Sequence, residues 1–176
     1  LPRVANIDQA VIVFASVSPD FNPDIMDRFI VLAEQQKLDI LICINKTDLD
    51  RDEKYREICS LYSKAGFDVL PISAALNVGI DELNKRLAGK ISVLAGPSGV
   101  GKSSVLNMID PEINAQVGEI SRKIERGKHT TRQSELMKLD ENTYIVDSPG
   151  FTSLDMSGIE PDELENYFRE FEPYLE

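Results

Sequence analysis

Short apolar, β-branched runs alternate with amphipathic stretches along most of the chain. Ala10–Ala15 (AVIVFA) reads as a strand buried on both faces. Asp24–Gln36 follows as a helix, with Ile25, Phe29 and Leu32 at helical spacing on one face and Asp24 as its N-cap. Ile40–Ile44 is a second buried strand, and Asp50–Ala65 a helix ended by Gly66. Asp68–Ile72 is a third strand; Ile80–Leu87 is a short helix with acidic residues, Asp81 and Glu82, in its first turn. Ile91–Ala95 is a fourth strand, followed by a helix over about 102–109. Leu136–Leu139 and Tyr144–Val146 form a hairpin around Asp140-Glu141-Asn142, and a last helix covers about 162–171, after Pro161. Residues 110–135 show little periodicity, and so long an irregular stretch inside a compact domain is usually functional or disordered. No internal repeat or low-complexity segment stands out.

Strands alternating with helices predict an α/β fold: three layers around a mostly parallel six-stranded sheet, with the hairpin supplying one antiparallel edge strand. Ligands of such sheets bind where the strands end at their carboxyl ends. The polar loops that follow the second, third and fourth strands therefore become the candidate site.

Composition bounds the class. With 176 residues, 42% hydrophobic and 28% charged, the chain is expected to be one globular domain. No apolar run approaches the roughly 18 residues of a membrane span, and Leu1-Pro2-Arg3-Val4 has none of the features of a signal peptide. The first residue is not Met, as expected of a piece of a longer chain. Two cysteines, Cys43 and Cys59, cannot make a metal site alone and fit a reducing, cytoplasmic setting. The net charge of −11 is concentrated at one end: residues 134–176 hold 12 acidic and 2 basic residues, leaving the rest near neutral. That balance argues against nucleic acid as a direct ligand. The basic stretch Ser121–Arg132 points the other way, although a solvated loop is the simpler account of it.

Gly96-Pro97-Ser98-Gly99-Val100-Gly101-Lys102-Ser103 matches the phosphate-loop pattern G-x-x-x-x-G-K-[ST] between a strand and a helix. Its glycines turn successive backbone N–H groups inward around phosphate oxygens, at the positive end of the following helix. Lys102 is placed to reach the β- and γ-phosphates, the Ser103 hydroxyl to bind Mg²⁺, and Ser104 to touch the α-phosphate. Base choice comes from Asn45-Lys46-Thr47-Asp48. The Asp48 carboxylate can accept the N1–H and amino donors of guanine, a pair that adenine lacks. Asn45 would serve the N7 side and brace neighbouring loops, and the Lys46 stem would cover the base. Ser73-Ala74-Ala75 ends the next strand, where the Ala74 N–H would meet guanine O6. In Asp147-Ser148-Pro149-Gly150, Asp147 would hold Mg²⁺ through water and the Gly150 N–H would sense the γ-phosphate. Alone, N-K-x-D or a Pro-Gly turn would mean little. Here each stands at the end of a strand.

The order of these motifs is unusual, because the guanine motif precedes the phosphate loop. The set resembles the circularly permuted GTPases, and among them the ribosome small-subunit-dependent GTPase family, RsgA/YjeQ. The residues that carry the resemblance are Val4–Asp8, Asn45–Asp48, Ser73-Ala74, Gly96–Ser104, Gly127-Lys128-His129-Thr130-Thr131, Asp147–Gly150 and Phe168-Arg169-Glu170-Phe171. It implies a permuted P-loop GTPase domain over 1–176, with GTP/GDP and Mg²⁺ as ligands and a monomer acting late in small-subunit maturation, stimulated by the small ribosomal subunit and its rRNA. It also implies flanking OB-fold and zinc-binding domains outside this chain, the zinc belonging to the latter. Phe151 stands where many GTPases place a water-orienting Gln, and an apolar ring cannot polarise water. The resemblance assigns that role to His129, the chain's one histidine. It makes Thr130 or Thr131 the switch threonine that binds Mg²⁺ and γ-phosphate. Residues 111–135 and 150–158 would be the segments ordered by that phosphate. Rival readings are a permuted GTPase of large-subunit assembly, a nucleotide-dependent binding module with negligible turnover, and a P-loop kinase, which Asn45–Asp48 disfavours.

Overall fold

A computed structural model describes residues 6–113, 135–147, 159–160 and 163–174. Six strands form one sheet: β1 (Gln9–Ala15), β2 (Asp39–Asn45), β3 (Asp68–Pro71), β4 (Ile91–Ala95), β5 (Glu135–Lys138) and β6 (Tyr144–Asp147). Their order across the sheet is β3-β2-β1-β4-β6-β5. Every pair is parallel except β5 with β6, so the expected antiparallel edge hairpin is present.

Central β1 explains the architecture. All seven of its residues are buried, which requires cover on both faces. Ala10, Ile12 and Phe14 point into a cluster with Met26, Phe29 and Ile30 of α1 (Pro23–Gln35) and Ile58 and Tyr62 of α2 (Lys54–Lys64). Val11, Val13 and Ala15 point the other way, onto Leu83 and Leu87 of α3 (Ile80–Leu87) and Val105 and Leu106 of α4 (Lys102–Ile109). Each fully buried aliphatic or aromatic side chain contributes about 1.5–3 kcal/mol, so these two clusters fix the three layers.

Three local expectations change. The N-cap of α1 is Asn22, whose Oδ1 accepts the Ile25 N–H at 3.2 Å. Pro23 takes the first helical position, where its missing N–H costs nothing, which moves the start of the helix ahead of Asp24. Helix α2 begins at Lys54 rather than at residue 50. Asp50 stays outside it as a buried acceptor, its Oδ2 taking the Tyr55 N–H at 2.8 Å. The expected C-terminal α-helix is instead two 3₁₀ segments, Leu164–Tyr167 and Arg169–Tyr174, separated by an extended Phe168. The break turns Arg169 toward the body of the domain. There it bonds Glu34 and the Gly66 carbonyl.

Candidate functional site

The parallel strands deliver three loops to one edge: 45–48 after β2, 72–76 after β3 and 96–101 after β4. Asn45 joins them. It is the last residue of β2, 2% exposed, and paired with Ala15 of β1. Its Nδ2 donates to the Val100 carbonyl at 2.9 Å, and its Oδ1 accepts the Ala74 N–H at 3.1 Å. One amide thus ties the phosphate loop to the Ser73–Ala75 loop. The Ala74 N–H, expected to face guanine O6, is committed to Asn45, because both of these buried polar groups need a partner. The bracing role expected of Asn45 is what the geometry displays.

Asp48 is exposed, and its Oδ1 accepts the Ser73 hydroxyl at 2.5 Å. Ser73 Oγ in turn accepts the Leu76 N–H at 3.2 Å, and Ser73 bridges antiparallel to Val78. Thr47 holds the same two loops together, its hydroxyl donating to the Ile72 carbonyl at 3.0 Å. The carboxylate is therefore aimed by the loop after β3 while it stays accessible from solvent. Ala75 beside it is exposed.

The phosphate loop has the backbone its glycines permit. At Gly96, φ is 137° and an added Cβ would lie 2.1 Å from the Val13 carbonyl oxygen of β1. At Gly101, φ is 98° and a Cβ would lie 2.5 Å from Asn45 Nδ2. Only glycine fits both. Lys102 opens α4, and its Nζ donates to the carbonyls of Gly96 and Pro97, each at 2.7 Å. Ser103 lies one residue further into α4 and is buried; Ser104 is half-buried. Pro97 is half-buried, Ser98 and Gly99 are exposed, and Val100 packs into the core.

Lys46 ties two loops together. Its Nζ donates to the Gly99 carbonyl at 2.7 Å and to the Ser18 carbonyl. Burial pushes its ammonium below the ordinary lysine range, and the Asp48 carboxylate pulls partly back. The loop after β1, from Ser16, therefore belongs to the site. Sequence reading passed over it, although Ser18-Pro19 and Asn22-Pro23 mark turns that bracket a strand end.

Asp147 ends β6, directly after Val146, which pairs with Val93 of β4 two residues before Ala95. Its backbone thus lies beside the strand that carries the phosphate loop. His129, Thr130, Thr131 and Gly150 lie outside the described residues, as do most of 111–135 and all of 150–158. Among the described residues no group of three or more His, Cys, Asp or Glu could hold a metal, and no helix is long and apolar enough to cross a membrane.

The family model described as RsgA GTPase matches residues 2–157. The small ribosomal subunit biogenesis GTPase RsgA of Alkaliphilus metalliredigens is 46% identical over 173 residues, covering 98% of this chain and 59% of that protein. The protein of the same description from Thermotoga maritima is also 46% identical, with 97% and 58% covered. Among solved structures, YjeQ from Thermotoga maritima superposes with a TM-score of 0.81 at 42% identity, covering 97% of this chain and 57% of that one. YloQ, a circularly permuted GTPase, gives 0.72 at 33%, with 96% and 53% covered. The chain thus spans a little over half the length of these relatives.

Proposed function

The chain belongs to the RsgA GTPase family, and from that premise we propose that it is a Mg²⁺-dependent GTPase switch acting in maturation of the small ribosomal subunit. The observation that carries the reading is the Asn45 amide, which joins the guanine-selecting loops and the phosphate loop through Ala74 and Val100. Base recognition and phosphate recognition then form one rigid unit, as a guanine nucleotide spanning both requires. The relatives' description favours the small subunit over the large one.

Asp48, oriented by Ser73, would select guanine by accepting its two edge donors; an adenine base would leave that carboxylate without partners. The phosphate loop offers backbone N–H groups around Gly96–Gly101, and Lys102 would exchange its two loop carbonyls for β- and γ-phosphate oxygens. Ser103 at the start of α4 and Asp147 at the end of β6 are a hydroxyl and a carboxylate residue, the hard oxygen donors that suit Mg²⁺. With Thr130 or Thr131 they would hold the ion, which when bound neutralises charge developing on the phosphates. His129 would orient the attacking water, since Phe151 cannot, and the Gly150 N–H would report the γ-phosphate. Partner-dependent ordering of these groups would give a slow intrinsic rate raised by the ribosome. Contacts with rRNA, a monomeric state and a cytoplasmic location complete the proposal. The acidic charge concentrated in residues 134–176 leaves the rRNA contacts to basic surface elsewhere.

The test is GTP hydrolysis with and without purified small subunits, on this chain and on a form carrying flanking domains like those of its longer relatives. Stimulation of the longer form is expected, and none would refute the ribosomal reading. Asp48→Asn should exchange GTP preference for xanthosine triphosphate, and unchanged GTP affinity would refute guanine selection. His129→Ala should abolish stimulation and keep affinity within about threefold; a collapse of affinity would make His129 structural.

A further inference from the structure

We propose that the C-terminal segment tunes nucleotide affinity through a ladder of aromatic rings, with Phe21 as the positioning residue at its upper end. This rests on the nucleotide-binding reading above.

The lower end of the ladder is Arg169. Its Nε donates to Glu34 Oε1 at 2.6 Å and its Nη1 to the Gly66 carbonyl at 3.0 Å, so the 3₁₀ segment is pinned where α1 ends and β3 begins. The guanidinium carbon sits 4.5 Å from the centroid of the Phe67 ring. Phe67 packs on Tyr62 at 6.5 Å, Tyr62 on Phe21 at 6.0 Å and Phe21 on Phe14 at 5.7 Å, the last two edge-on. Tyr62 is further fixed by its hydroxyl, which donates to Asp27 Oδ1 at 2.9 Å. Phe67, Tyr62 and Phe14 are buried, and close-packed rings transmit a displacement instead of absorbing it.

The upper end is the loop from Ser16 to Phe21. Its first N–H, at Ser16, bonds the Asn45 carbonyl at 3.1 Å. The Ser18 carbonyl accepts Lys46 Nζ, which also holds the Gly99 carbonyl. Pro19 covers Gly99 itself, lying 3.7 Å from where a Cβ would stand. Phe21 is the residue of this loop that reaches into the ladder. When it is seated, Lys46 and the exposed crown of the phosphate loop are held together; when it shifts, both lose a wall. Docking of Arg169 over Phe67 favours the seated arrangement. By reciprocity, a bound nucleotide strengthens the docking of the C-terminal segment.

The experiment is equilibrium binding of a fluorescent GDP analogue to the chain and to Phe21→Leu, Arg169→Ala and the double variant, with melting temperatures recorded alongside to establish that each is folded. Phe21→Leu should weaken binding about tenfold and Arg169→Ala about threefold, the scale of remote coupling. The double variant should bind about as weakly as Phe21→Leu alone, because both act through one ladder. Glu34→Gln, which loosens the same dock from the other side, should reproduce Arg169→Ala. Unchanged affinity in Arg169→Ala, or losses that multiply in the double variant, overturns the coupling. Failure of the unaltered chain to bind the analogue at all overturns the nucleotide-site reading instead.

Discussion

The loops at the carboxyl ends of β1 to β4 and the segment 163–174 are both irregular backbone, yet they are held in opposite ways. Each loop is tied from the inside. Buried Asn45 takes the Val100 carbonyl and the Ala74 N–H, and Gly96 lies against the backbone of Val13. The C-terminal segment is held from the outside, by packing of Leu164–Tyr167 on α1 and by the half-exposed Arg169 side chain. Losing an internal tie strands buried polar groups, whereas losing an external one lets water replace it. The loops are therefore part of the folded core, and the C-terminal segment is an attachment that can loosen at modest cost. The switch proposed above would need both: a preformed ligand cradle and an element whose position is negotiable.

The sharpest way to break this contrast is Gly96→Ala. A methyl group 2.1 Å from the Val13 carbonyl, at a φ of 137°, cannot be accommodated without moving β1 against β4. A loss of at least about 3 kcal/mol is expected, read as a lowered urea midpoint. A loss under about 1 kcal/mol would mean that the loop is not built into the sheet.

Asn45→Ala comes next. It orphans the Ala74 N–H and the Val100 carbonyl, whose residues are 5% and 1% exposed. About 2–4 kcal/mol should be lost, with the denaturant slope unchanged. A neutral result would assign Asn45 to ligand contact alone and remove the structural link between the two halves of the site.

Legibility in the sequence divides along the same line. The strands were readable because β-branched runs such as Ala10–Ala15 bury on both faces, and the mostly parallel sheet follows from the alternation of strands and helices. The glycines and Lys102 were readable because the phosphate loop demands them at fixed spacing. The partners were not. Nothing local to Ala74 says that its N–H turns to Asn45, 29 residues earlier. Nor does Lys46 announce that it reaches Ser18, 28 residues away. The helix expected over about 162–171 gives way to two 3₁₀ segments that meet at an extended Phe168, next to the tertiary contacts of Arg169. Propensity is a weak prior where a short segment must dock.

The smallest expected effect sharpens the contrast from the attachment side. Asp27 of α1 lies half-buried at the seam with the C-terminal segment, its Oδ1 accepting the Tyr62 hydroxyl. Its carboxyl is raised above the ordinary 3.8, first by burial and then by the Glu170 and Asp24 charges, while the Tyr62 hydrogen bond opposes them. The folded state therefore prefers Asp27 protonated. Its contribution to stability is full below about 3.8 and is lost as pH rises through the higher folded value, so at neutral pH the charge is a burden. Asn at this position keeps an acceptor for Tyr62 and removes the charge. Asp27→Asn should raise the melting temperature at pH 7 by about 1–2 °C, and by nothing near pH 3. A gain that persisted at pH 3 would trace the effect to packing rather than charge. No gain at pH 7 would show that the seam is already open to water around Asp27, and so looser than the contact of Arg169 with Glu34 implies.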